Sequence, residues 1–440
     1  MNVALAKTDT GRALSDAFAA ARERLPAVGK VADFRRQAFE AYERMGLPHR
    51  RIEDWKYTDL RVLMREVLPL AAAPDAGALK RAEAALKAGT IEGARRLVLV
   101  DGAFAPKLSD ISGVEKGLSV RSLREAIDGD SALQAELFSL DTANPMVALN
   151  SAMLTDGVVI DIADGAVLSR PLHIVHVAAG ATACSMFTRS LLRLGKNVSA
   201  TLVESYVAAD GAKSYQAHNS LVIAIGDNSR LDHVRLVEDA ADAVNIASSA
   251  VTLGAHGHFN TFGMTSGAAV SRYQANIIFA GEGSRVETNG VNLLRGRQHA
   301  DTTLLLDHAV PHCASREVFR AVIDDSAHSV FQGRIIVRPD AQKTDAKMMT
   351  RALLLSDDAE ADNKPELEIF ADDVTCGHGA TSGALDESLL FYLRARGLKE
   401  KEAQALLIQA FVGEAIESIA SDALRDLAAA TAERWLRARS

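Results

Sequence analysis

The sequence predicts a mainly β protein: a right-handed parallel β-helix core with α-helical regions on its amino- and carboxy-terminal sides. Three observations lead there. From about Gly157, β-branched runs of four to six residues alternate with Gly, Asn, Asp and Ser turns. The glycines that close five of these runs, Gly165, Gly195, Gly226, Gly254 and Gly281, are spaced by 30, 31, 28 and 27 residues. Such a period is the mark of stacked coils, each of which buries its apolar face against its neighbours. A β-sandwich would place turns every 8 to 12 residues or so and would not favour one glycine at this longer interval. Finally, helical periodicity is confined to the two flanks.

Residues 1–150 read as an α-rich cap and linker. Ala, Leu, Arg and Glu dominate Gly11 to Arg24 and Val31 to Met45, with apolar residues returning at helical spacing. Between this pair and the next helical stretch lies Arg51-Ile52-Glu53-Asp54-Trp55-Lys56-Tyr57-Thr58-Asp59-Leu60, which carries one of only two tryptophans. Its simplest role is an aromatic anchor between helices. Ala71 to Gly93, with Pro74, reads as a linker followed by a helix. Residues 151–384 form the expected β-helix. Its open ends would expose unpaired strand edges, which flanking helices are one way to cover. Residues 385–440 are helical again: Asp386 suits an N-cap, Gly397 a terminator, and Asp422 to Arg439 a last helix. In the helix between, Ala403, Leu406, Leu407, Ala410 and Phe411 fall at i, i+3, i+4, i+7 and i+8, an apolar stripe that packs on the core or receives a partner.

A net charge of −8 excludes the basic footprint of a nucleic-acid partner. The stretch Met1 to Arg24 mixes both signs of charge without an apolar core, and Val67 to Pro74 is far shorter than the roughly 20 residues that span a bilayer. A cytoplasmic location is expected. The three cysteines, Cys184, Cys313 and Cys376, are too dispersed for a disulfide framework or a zinc knuckle. No G-x-x-x-x-G-K-[ST] loop, G-x-G-x-x-G turn, H-E-x-x-H or G-x-S-x-G elbow occurs, so no familiar enzyme signature is present. His256 and His258, and His308 with His312 and Cys313, are two conceivable metal-ligand groups, although hydrogen-bonded or surface histidines explain them as well. The acidic run Ser356 to Asp362 reads as a solvated loop.

The segment Pro365 to Gly383, with Asp373-Val374-Thr375-Cys376-Gly377-His378-Gly379-Ala380-Thr381 at its heart, continues into Leu389-Leu390-Phe391-Tyr392-Leu393-Arg394-Ala395-Arg396-Gly397. This stretch resembles the carboxy-terminal signature of the SufB/SufD family, and Asp54 to Thr58 resembles an amino-terminal motif of its SufD branch. Cys376-x-His378-Gly379-Ala380-Thr381 matches that branch, while the paralogous branch has a cluster-building cysteine that aligns near Thr350 here. The resemblance implies a non-catalytic scaffold in an iron–sulfur cluster assembly complex, paired with a SufB-like paralogue and binding a SufC-like ATPase. It implies no intrinsic cofactor, with iron or a cluster held transiently at the SufB interface. A reduced flavin in the complex and a homodimer of the isolated chain are left open.

The resemblance makes His378 the leading candidate for iron binding or cluster formation, with Cys376 as a weaker one. It assigns ATPase docking to the carboxy-terminal helices, where Leu406, Leu407, Ala410 and Phe411 are the candidate contacts. The flanking glycines leave the imidazole of His378 accessible just after the last expected strand, and neutral imidazole is a common iron ligand. Two other functions fit a β-helix, a polysaccharide-active enzyme and a passive structural solenoid. The first would need paired carboxylates and aromatic platforms, and aromatic residues are only 5% of the chain.

Overall fold

The computed structural model describes residues 9–26, 30–64, 66–127, 129–138 and 143–439. Two sheets face each other across a narrow lumen, one of ten strands and one of nine, and the chain alternates between them from coil to coil. Within each sheet, neighbouring coils pair in parallel and in register, as Val244–Leu253 does with Val270–Phe279. The fold is a parallel β-solenoid with helices at both termini. Alternate side chains point into the lumen, where Leu, Ile, Val and Phe from successive coils stack into one continuous core.

Seven successive coils, all but the last, turn through a residue with positive φ: Gly165, Asn197, Asn228, His256, Gly283, His312 and Lys343. The amide of each donates to a carbonyl one coil on, for example Asn228 to Ala255 at 2.9 Å and His256 to Glu282 at 2.8 Å. The glycine period therefore has two causes. Gly165 supplies a left-handed conformation, whereas Gly226 supplies room, because a Cβ there would stand 2.6 Å from the carbonyl oxygen of Gly195.

Strands begin earlier than their composition suggests. Arg95–Val100, Ala103–Phe104 and Leu118–Ser122 lie inside the segment read as cap and linker, and antiparallel pairs at this end close the first coil. The flanking helices pack against the outer sheet faces instead of plugging the ends. Pro145–Met153 lies against one face and Glu400–Ile416 against the other. At the carboxy-terminal end the last two strands, Glu360–Ile369 and Thr375–Gly383, each pair on one side only, and their side chains are mostly half-exposed or exposed. The acidic run is thus a loop only as far as Ala359, and Glu360, Ala361 and Asp362 belong to an edge strand.

Trp55 is buried between the amino-terminal helices and the nine-stranded sheet, not between helices alone. The Arg272 guanidinium lies 3.8 Å from its ring centroid and donates to the Asp54 carbonyl at 2.7 Å. Arg272 also pairs with buried Asp301, which accepts from the Thr58 hydroxyl. Among the described residues, no helix is long and apolar enough to cross a membrane.

Candidate functional site

The uncovered carboxy-terminal coil brings the candidate residues together. Thr375–Gly383 runs parallel to Asp345–Leu354, so that Cys376 pairs with Ala346, His378 with Met348 and Ala380 with Thr350. Ala346 and Met348 are buried in the lumenal core, and strand alternation puts Cys376 and His378 on that same inward face. Cys376 is half-buried against the core and His378 is exposed, because no further coil covers them. His378 is therefore in the interior of the last strand, one residue pair along from Cys376, and does not follow that strand as its glycines suggest.

Burial raises the Cys376 thiol above its ordinary range, and the carboxylates of Asp345 and Glu317 add to the effect. A cation held beside it would reverse that trend by stabilising the thiolate. A thiol and an imidazole two residues apart on an open face form half of a ligand set. Among the described residues, no group of three or more His, Cys, Asp or Glu side chains is arranged to hold a metal ion. Any cation here needs further donors from solvent or another chain. Thr350, where the resemblance aligns the paralogue's cysteine, is buried and donates to the Asn363 side chain at 2.9 Å.

The other sequence candidates are dispersed. His256 and His312 occupy left-handed turn positions, which accounts for them without a ligand. His258 lies beside Arg230 at 3.1 Å. His308 is inside the lumen, stacked on Phe279 at 3.9 Å, and burial depresses its pKa to about 4. The Cys313 thiol sits against the Ser284 hydroxyl at 3.3 Å.

The carboxy-terminal stripe is divided by the fold. The face of Glu400–Ile416 that packs on the ten-stranded sheet is Ile408, Val412, Ala415 and Ile416, and Ala403 is buried as well. Phe411 and Leu407 are half-buried at its edge, with the Arg320 guanidinium 5.6 Å from the Phe411 ring centroid, while Leu406 and Ala410 face outward. The preceding helix, Glu387–Ala395, buries none of its residues. Leu389, Phe391 and Tyr392 are 51%, 73% and 53% exposed, and Phe370 and Leu406 extend the exposed apolar side chains of this region. Periodicity missed this helix as an exposed surface, because apolar spacing does not tell which face a neighbour covers.

These features define a β-solenoid with a thiol and an imidazole at an open end and an uncovered apolar helix after it. The SufBD core domain model, described as SUF system FeS cluster assembly, matches residues 176–411, and the SufBD protein N-terminal region matches residues 12–174. The chain belongs to the SufBD family of iron–sulfur cluster assembly proteins. It is 32% identical to an iron–sulfur cluster assembly SufBD family protein of Synechocystis over 387 residues, 85% of this chain and 84% of the relative. It is 31% identical to the Escherichia coli iron–sulfur cluster assembly protein SufD over 388 residues, covering 87% and 88%. The SufD of Bacillus subtilis is 26% identical over 335 residues, covering 73% and 74%.

Proposed function

We propose that the chain is a SufD-like, non-catalytic scaffold subunit of an iron–sulfur cluster assembly complex. It pairs with a SufB-like paralogue through its open carboxy-terminal coil and binds a SufC-like ATPase through the helices that follow. Iron, or a cluster in formation, is cargo held transiently where the two scaffold chains meet, with His378 and Cys376 as this chain's donors. The carrying observation is that Cys376 and His378 share the inward face of a coil whose two strands still have free edges. Free edges recruit another chain, and an incomplete ligand set is completed by it. ATPase docking is supported by the exposed Leu389, Phe391 and Tyr392.

Mixing the purified chain with a SufB-type protein and a SufC-type ATPase, followed by size-exclusion chromatography, tests this reading. Co-elution of all three is expected, with ATP hydrolysis present only when the ATPase is included. Elution of this chain alone, or stoichiometric ATP binding by it, would overturn the proposal.

A further inference from the structure

The inward column that ends at His378 contains an anomaly one coil deeper than its neighbour Met348. Parallel register aligns Thr288, Glu317, Met348 and His378 along the lumen. Glu317 is only 1% exposed, and among the described residues neither of its carboxyl oxygens sits in a well-formed hydrogen bond, the Ser315 hydroxyl being the one side chain that weakly donates to it. An ionised carboxylate so weakly partnered is among the most costly groups to bury. Surrounding structure does little to offset this. Ser315, on the same inward face, is bonded to His308 at 3.2 Å, and Arg316 is engaged with Asp345 at 2.5 Å. Burial accordingly pushes the Glu317 carboxyl up to about 8, against smaller opposing effects of Ser315 and Arg316. Glu317 and Cys376 are also mutually sensitive, since the Glu317 charge acts to raise the thiol. With Met348 between them, Glu317 and His378 are two strand spacings apart, about 10 Å, so they influence each other through the lumen without contact.

We propose that Glu317 is the proton-holding acid of the open-end site: a lumenal carboxyl group that carries a proton while the end is empty and releases it when a divalent cation is bound at Cys376 and His378. This rests on the cargo site proposed above and adds a charge-balancing residue to it. The balance is simple. One cation enters, the Cys376 thiol loses a proton to become a ligand, the Glu317 equilibrium shifts toward the carboxylate that is its counter-charge, and the protons given up leave to solvent. No electron is transferred.

The test uses the full-length chain and Co(II) alone as probe, with thiolate-to-cobalt absorption reporting binding and an indicator dye reporting protons released at pH 7. At an effective dielectric near 20, one net positive charge about 10 Å away lowers a carboxyl pKa by roughly one unit. Wild type should therefore release about half a proton more per cobalt than Glu317→Gln. Glu317→Asp should restore part of the difference. Difference infrared spectra supply a second readout, in which cobalt should bleach a protonated carboxylic-acid carbonyl band in wild type that Glu317→Gln lacks. Near-ultraviolet circular dichroism identifies a variant that fails to fold, and the infrared bleach in wild type alone then decides. Cobalt binding with equal proton release in wild type and Glu317→Gln, or with no bleach, would overturn the role of Glu317 and leave the cargo site standing. No thiolate-to-cobalt band in the wild-type chain would overturn the proposal for Glu317, whereas the cargo site, whose remaining donors come from the partner chain, fails only if cluster yield in the complex is indifferent to His378→Ala.

Discussion

Arg272 and Trp55 together explain why an amino-terminal motif is tied to a solenoid more than two hundred residues away. The guanidinium is fully buried under the indole, neutralised by Asp301 and bonded to the Asp54 carbonyl, so that neither ring nor cation stands without a partner group. Trp55→Ala should destabilise the chain by about 3–5 kcal/mol, read from urea unfolding, because it leaves a cavity and an exposed cation. A change below about 1 kcal/mol would show that the anchor is dispensable. Buried histidines predict the pH response. Burial depresses His173, His176, His299 and His308 to about 4 and His218 to about 3, so each is neutral in the fold. Their contribution is complete above the ordinary histidine value of about 6.5 and is lost as pH falls through that of the folded state. Glu317 has the opposite sign: raised to about 8, its contribution is full below the ordinary glutamate range and is lost as pH rises through about 8. The urea midpoint should fall steeply from pH 6.5 to 4, and Glu317→Gln should flatten the decline toward pH 8. A midpoint level across the acid range would contradict this account of the histidines.

At the scale of the element, the sequence was most informative where backbone geometry restricts residue type. A turn that needs a left-handed residue or a close backbone approach leaves Gly or Asn in the chain, and the spacing of about 29 residues is visible for that reason. Gly226→Ala should cost about 1–3 kcal/mol because its methyl group meets the Gly195 carbonyl of the preceding coil. What the sequence concealed follows from the same physics. Glu360–Ile369 has no coil beyond it and keeps polar residues such as Asp362, Asn363 and Lys364, so it looks like a loop although its backbone pairs for its whole length with His328–Val337. The helical stripe was misaligned because Leu406 and Ile408 are equally apolar and only the sheet decides which is covered. That difference is testable. Val412→Asp should unfold the carboxy-terminal helices from the sheet, seen as loss of helical circular dichroism, whereas Phe391→Ser should leave stability within about 0.5 kcal/mol and weaken ATPase association. If Phe391→Ser leaves association unchanged, docking lies elsewhere.

For the whole molecule, the fold supplies rigidity along the solenoid and leaves one end open. Parallel registers hold Cys376 and His378 at a fixed spacing, while the amino-terminal end is closed by antiparallel strands. The family motif pointed to these two residues in the sequence. Their common inward face, and the acid below them, depended on a register that links strands roughly 30 residues apart and could not be read from local pattern. The most direct test is cluster yield in the reconstituted complex, measured by absorbance of the assembled cluster beside size-exclusion chromatography, for wild type and His378→Ala. The account predicts an intact complex with sharply reduced cluster in the variant and a milder loss for Cys376→Ser; an intact complex with normal cluster yield in His378→Ala would contradict it.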